Sequence, residues 1–208
     1  MIEKIPKITV ILRGYNYSQI RTIAKILVES KENEVKSIEI TMNTENALEI
    51  IEKIKKEFGT KIKVGAGTVI NFEQVERAIE VGVDFILSPV MLDKEILDYC
   101  KKKNVMTVPG AFSPTEILKS KIDGADIVKI FPAARLTEQY LSDILAPLDK
   151  LPIMVVGGIN KNNIKEYFRK GADYAGIASG IFEKEDILNE NTEKLKKSLD
   201  EFIDSYKN

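Results

Sequence analysis

There is no histidine anywhere in the 208 residues. The commonest general base and the commonest protein ligand for zinc are therefore missing, and any chemistry must run on Lys, carboxylates, Tyr, Arg or backbone groups. Cysteine is nearly absent as well. A lone Cys100 excludes an intramolecular disulfide and points to a reducing compartment, with the cytoplasm as the default. Nor is there an excess of charge: 31 basic against 32 acidic residues give a net charge of -1, which leaves no electrostatic signature for nucleic acid or a membrane surface. No segment approaches the ~18 consecutive apolar residues of a membrane span, and Met1-Ile-Glu-Lys-Ile-Pro6 lacks the apolar core of a secretion signal. Linker-like and low-complexity stretches are missing too, so residues 1–208 are expected to form a single domain.

What is present is an alternation. Short apolar runs at 8–12, 37–41, 62–65, 84–88, 105–108, 126–132, 153–156 and 174–178 read as strands. Between them lie helical patterns: one from Ser18, one from Thr44 closed by Gly59, one capped by Asn71, and one over 91–103. The fifth opens on Ser113-Pro-Thr-Glu116, a capping box with proline at the first helical position. Three more follow, at 138–148, from Asn160 to Gly171, and from 192 to 206. The polar patch 31–34 reads as a solvated loop. Alternation of this kind means a parallel sheet, and eight units with nothing left over predict a single (β/α)8 TIM barrel.

Within the run 126–132, Ile127, Val128, Ile130 and Phe131 leave no polar face, so Lys129 is an ammonium placed among hydrocarbons. Burial disfavours its charged form, and a neutral amine condenses with carbonyls. A strand-end lysine that snorkels to water or pairs with a carboxylate is the plainer alternative. The company it keeps favours chemistry. At the carboxyl ends of barrel strands, where such folds hold their sites, lie Arg13, Glu39, Thr68, Ser88-Pro89, Pro109-Gly110 and Lys129. Gly157-Gly158 and the stretch Gly176 to Gly180, with Ser179, add free backbone N–H groups where this fold commonly holds phosphate.

The stretches Val10-Ile-Leu-Arg13, Ile38-Glu-Ile-Thr41, Val64-Gly-Ala-Gly-Thr68, Ile86-Leu-Ser-Pro89, Val108-Pro-Gly110, Pro114-Thr-Glu116, Val128-Lys-Ile-Phe-Pro132 and Val156-Gly-Gly-Ile159 occur in one order along the chain. Together they resemble the 2-keto-3-deoxy-6-phosphogluconate (KDPG) and 4-hydroxy-2-oxoglutarate (KHG) aldolases, class I enzymes that release pyruvate. The resemblance implies Lys129 as the Schiff-base lysine, Glu39 as general acid and base, and Arg13 and Thr68 as carboxylate ligands. It further implies Pro89, Phe131 and Asn43 around the substrate, and Gly157, Gly158, Ser179 and Gly180 around its phosphate. No metal and no cofactor beyond the covalent lysine adduct is implied. The partners would be small 2-keto acids and aldehydes, in a homotrimer.

Two departures stand out. Many members carry arginine where this chain has Asn43, which shifts the carboxylate contact towards Arg13; related aldolases acting on the galactonate epimer also tend to have Asn there. After Phe131-Pro132 many members have a glutamate and a glycine-rich turn, whereas this chain reads Ala133-Ala-Arg135-Leu-Thr137. Two rival functions remain open at this stage: a phosphosugar epimerase or decarboxylase on the same barrel, and a non-catalytic barrel that binds phosphometabolites. Neither gives Lys129 a task.

Overall fold

Stiff β-branched residues suit a pleated surface covered on both sides, and the apolar runs form such strands. In the computed structural model, which describes residues 5–148 and 151–207, they are β1 (Ile8–Leu12), β2 (Ser37–Thr41), β3 (Lys63–Gly67), β4 (Phe85–Leu87), β5 (Met106–Val108), β6 (Gly110–Ala111), β7 (Val128–Ile130), β8 (Ile153–Val156) and β9 (Tyr174–Ile177). The order is β5-β4-β3-β2-β1-β9-β8-β7-β6, with parallel pairing throughout.

There are nine pieces among the described residues, not eight, because Pro109 has no N–H for a ladder and splits the fifth strand. The chain does not end that strand at Pro109-Gly110, as the sequence pattern predicts. Instead β6 carries on beyond it. Ile127 N–H donates to the Thr107 carbonyl (3.1 Å), Lys129 N–H to Pro109 (2.8 Å) and Phe131 N–H to Ala111 (3.1 Å). The strand of Lys129 thus holds both pieces while β4 holds β5, and the sheet rolls up into an α/β barrel of the TIM type.

The connecting helices are α1 (Tyr17–Glu29), α2 (Ala47–Phe58), α3 (Phe72–Glu80), α4 (Lys94–Lys102), α5 (Pro114–Asp123), α6 (Thr137–Leu145), α7 (Ile164–Arg169), α8 (Lys184–Leu188) and α9 (Thr192–Lys207). The Asn71 cap and the Ser113–Glu116 capping box form as expected, and α1 gains a capping box of its own from Asn16 and Gln19. Two starts differ. Thr44 does not open α2, because its buried hydroxyl accepts from Gly14 N–H at 3.0 Å and pairs with the Thr41 hydroxyl at 3.0 Å. Asn160 does not open α7 either. Its side chain accepts from Asn162 N–H (2.9 Å) and its own N–H donates to the Asn163 side chain (2.9 Å), which holds 161–163 as a turn and leaves α7 six residues long. No helix among the described residues is long and apolar enough to cross a membrane.

Strand alternation sorts the buried residues into two layers. Ile8, Val10, Ile38, Ile40, Val64 and Val155 face outwards to the helices and join the large core there. Ile11, Phe85, Leu87, Met106, Val108, Ile127, Met154 and Val156 face inwards and fill the barrel. A repeated device closes the opposite end from the site. Asp84, Asp126 and Asp173 each stand just before a strand, two residues after a glycine, and each carboxylate accepts the N–H at the start of the adjoining strand: Val64 (2.8 Å), Thr107 (2.8 Å) and Ile153 (3.1 Å).

Candidate active site

The same alternation that puts Ile11 inside the barrel puts Arg13, Glu39 and Lys129 on the inner parity of their strands. In register, Glu39 lies between Ile11 of β1 and Gly65 of β3, and Lys129 between Gly110 of β6 and Met154 of β8. Both side chains are buried, Glu39 at 1% and Lys129 at 5% exposure. Gly67 makes room for the carboxyl: a Cβ there would lie 1.5 Å from Glu39 Oε1, so no other residue type fits without moving the glutamate. Glu39 Oε2 has no hydrogen-bond partner among the described residues, although a buried carboxylate oxygen ordinarily finds one. The ammonium of Lys129 sits 4.7 Å from the centre of the Phe131 ring.

Electrostatics tie three residues together. Burial pushes Glu39 up from 4.5 to about 7, and the positive charges of Lys129 and Arg13 work against that rise. Burial pulls Lys129 down from 10.5 to about 8; the Glu39 charge opposes the drop and Arg13 adds to it. The two values approach each other. Moving a proton from the lysine to the glutamate therefore costs far less here than it would in water. The interior of the barrel thus brings both the neutral amine and the carboxylic acid within easy reach near neutral pH.

One cavity of about 200 Å³ gathers most of the residues singled out from the sequence. Arg13, Glu39, Thr68, Pro89, Lys129 and Phe131 line it, and Gly157, Gly158 and Ser179 close its far side. Thr68 holds a left-handed backbone (φ 58°), costly by about 1–3 kcal/mol for a β-branched residue. Two predicted residues are not brought in. Asn43 is exposed on the turn after β2 and does not line the cavity. Gly180 packs behind it: a Cβ there would lie 2.1 Å from the Ile159 carbonyl, so this glycine lets two loops meet. Gly176, from the glycine stretch singled out in the sequence, does line the cavity; missed from the sequence were Val156, which lines it too, and Gly67, which leaves room for the Glu39 carboxyl. Among the described residues no cluster of His, Cys, Asp or Glu could hold a metal ion.

The model of the KDPG and KHG aldolase family matches residues 2–198. The chain belongs to that family. It is 30% identical over 210 residues to the 2-dehydro-3-deoxy-phosphogluconate aldolase of Haemophilus influenzae, covering 100% of this chain and 97% of that one. It is 32% identical over 173 residues to a probable 2-dehydro-3-deoxy-6-phosphogalactonate aldolase of Rhizobium meliloti, covering 83% and 80% of the two chains. Among solved structures, a native KDPGal structure superposes with a TM-score of 0.87 at 23% identity, over 99% of this chain and 96% of the other. A Legionella pneumophila KDPG aldolase, determined with pyruvate captured as a covalent carbinolamine, superposes at 0.83 with 24% identity, over 93% and 92%. The fold is theirs. Members of the family are carbon–carbon lyases, and so is this protein.

Proposed function

We propose that the protein is a class I aldolase in which Lys129 forms the Schiff base. It cleaves 2-keto-3-deoxy-6-phospho sugar acids, of the gluconate or galactonate series, to pyruvate and glyceraldehyde 3-phosphate, and 4-hydroxy-2-oxoglutarate to pyruvate and glyoxylate. The observation that carries this is the buried amine and buried carboxyl, each shifted towards neutrality, facing one cavity inside the barrel.

The neutral amine of Lys129 attacks the 2-keto carbon to give a carbinolamine, and protonated Glu39 supplies the proton with which water leaves. The resulting iminium draws electrons from the C3–C4 bond. Glu39, now a carboxylate, takes the C4 hydroxyl proton as that bond breaks and the aldehyde departs. The enamine is then protonated at C3, and hydrolysis of the iminium frees pyruvate and restores the lysine. The iminium is the electron sink, so the cycle asks for no further cofactor. Arg13 and the Thr68 turn would hold the carboxylate of the keto acid, and Gly157, Gly158 and Ser179 the phosphate, by backbone N–H groups and a hydroxyl.

The epimerase, decarboxylase and binding-protein alternatives leave the buried lysine without a purpose. Borohydride added with pyruvate is expected to fix one pyruvate-derived mass on Lys129, and Lys129→Ala to abolish both trapping and cleavage. Glu39→Gln should keep slow trapping while losing cleavage by about 10²–10⁴-fold, since the amide cannot take the C4 proton. An adduct mapped to another lysine would remove the central residue of the proposal. Assembly as a homotrimer and a cytoplasmic location, where Cys100 stays reduced, belong to the same proposal. Ile70, Val90 and Phe112, on the loops after β3, β4 and β6, are exposed apolar side chains that such an assembly could cover.

A further inference from the structure

The glycine loop at the far side of the cavity carries no charge of its own. Its carbonyls are engaged: Gly157 accepts from Ala134 N–H at 3.0 Å, and Gly158 from the side-chain amides of Asn160 (3.3 Å) and Asn163 (2.9 Å). With α7 starting only at Ile164, no long helix directs its dipole at this loop. Neutral N–H groups alone would leave a phosphate dianion without a counter-charge, and charge-assisted bonds are about twice as strong as neutral ones. Lys161, the first basic residue after the loop, is already paired with Glu201 at 3.2 Å. Arg13 is coupled to Glu39 and Lys129 at the reacting end.

The turn that follows the lysine strand carries a cation one residue from its contact with this loop. Ala133–Arg135 forms a 3-10 turn that leans directly on the glycine loop through the Ala134 N–H bond to Gly157. The contact is close. A Cβ on Gly158 (φ +77°) would lie 2.5 Å from the Ala134 Cβ, so Gly158 lacks a side chain because the turn fills that space. Buried Ala133 and half-buried Leu136 pin the turn on either side and leave Arg135 exposed, one residue from the contact with the glycine loop and outside the residues that line the cavity. Among the described residues its side chain has neither an ion pair nor a hydrogen bond.

We infer that Arg135 supplies the positive charge for the phosphate on the aldehyde half of the substrate, and so sets the preference for phosphorylated over unphosphorylated 2-keto acids. This rests on the phosphate site proposed above. A guanidinium suits the task, because its planar fork of donors matches phosphate oxygens while the charge stays fixed at every working pH. The shorter 4-hydroxy-2-oxoglutarate ends in a carboxylate at C5 and lacks the C6 phosphate, so its cleavage is expected to depend little on Arg135.

The test compares kcat/KM for 2-keto-3-deoxy-6-phosphogluconate and for 4-hydroxy-2-oxoglutarate in wild type, Arg135→Ala, Arg135→Lys, Lys184→Ala and Ser179→Asp, with inorganic phosphate as competitor. Arg135→Ala is expected to lose about ten- to a hundredfold on the phosphorylated substrate, carried by KM, with the shorter substrate unchanged. Phosphate should inhibit this variant correspondingly less, and Arg135→Lys should recover part of the loss. If Ser179→Asp penalises the phosphorylated substrate alone while Arg135→Ala matches wild type, the phosphate site stands and Arg135 is not in it. Equal losses on both substrates in Arg135→Ala would make its role structural and overturn the inference. A larger selective loss in Lys184→Ala would move the charge to the start of α8. Equal losses on both substrates in Ser179→Asp would remove the phosphate site itself, and Arg135 with it.

Discussion

Glu39 and Lys129 are held in states that water would not give them, and that has opposite consequences for rate and for stability. The nucleophile is the neutral amine. With Lys129 at about 8, roughly a tenth of it is neutral at pH 7, against about one part in three thousand for an ordinary lysine at 10.5. The rate of pyruvate trapping should therefore rise with pH through about 8 and level off above it; a curve still climbing at pH 10 would place the lysine in an ordinary environment. For stability, Glu39 has a folded value of about 7 above its ordinary 4.5, so unfolding becomes easier as pH rises through that window. Lys129 has a folded value of about 8 below its ordinary 10.5, so stability returns only as pH rises from 8 to 10.5. Near pH 7.5 both groups cost stability. Replacing them together, as Glu39→Gln with Lys129→Met, is expected to inactivate the enzyme and raise its unfolding free energy by about 1–4 kcal/mol. A lower urea midpoint for the double variant would show that the pair stabilises the barrel. Lys129 and Glu39 were legible in the sequence because a charge in an apolar strand stands out. Gly67 was not, since its reason is a carboxyl from the neighbouring strand.

The elements follow local chemistry wherever side chains bond near their own backbone. The Ser113 box starts α5 and Asn71 caps α3, as the spacing predicts. Helix starts fail where a polar side chain finds a distant or competing partner: Thr44 takes the Gly14 N–H in the loop after β1, and the Asn160 side chain takes the Asn162 N–H while Asn163 takes that of Asn160. The aspartates before β4, β7 and β9 are elements of the same kind acting between strands. Asp173→Ala leaves the Ile153 N–H without its acceptor at the foot of β8 and is expected to destabilise the fold by about 1–3 kcal/mol, with KM unchanged. A denaturation midpoint equal to wild type would mean that water replaces the carboxylate at no cost. The repeat behind this was visible as Gly82-Val-Asp84, Gly124-Ala-Asp126 and Gly171-Ala-Asp173. Its purpose was not, because each aspartate serves the adjoining strand.

At the scale of the molecule, the proposed homotrimer is expected to appear in sedimentation, and Phe112→Asp, at a side chain 44% exposed, to shift it towards smaller species if that side chain is covered in the assembly. A monomer at every concentration would remove the assembly from the proposal. The parallel architecture, the eight-unit count and the lysine at its centre are properties of the one-dimensional pattern: alternation of apolar runs with helical periods permits few other ways to bury so much hydrocarbon. Closure across Pro109 needed the ladder, since a proline reads as an end until the carbonyl beside its missing N–H is seen to be used. That Asn43 and Gly180 stand outside the lining of the cavity, that Val156 is in it and that Gly67 makes room for Glu39 likewise took the tertiary structure. Gly67 and Gly180 matter through what touches them across 20 or more residues of chain, whereas Lys129 and Glu39 stand out through being charged where their own neighbours are not.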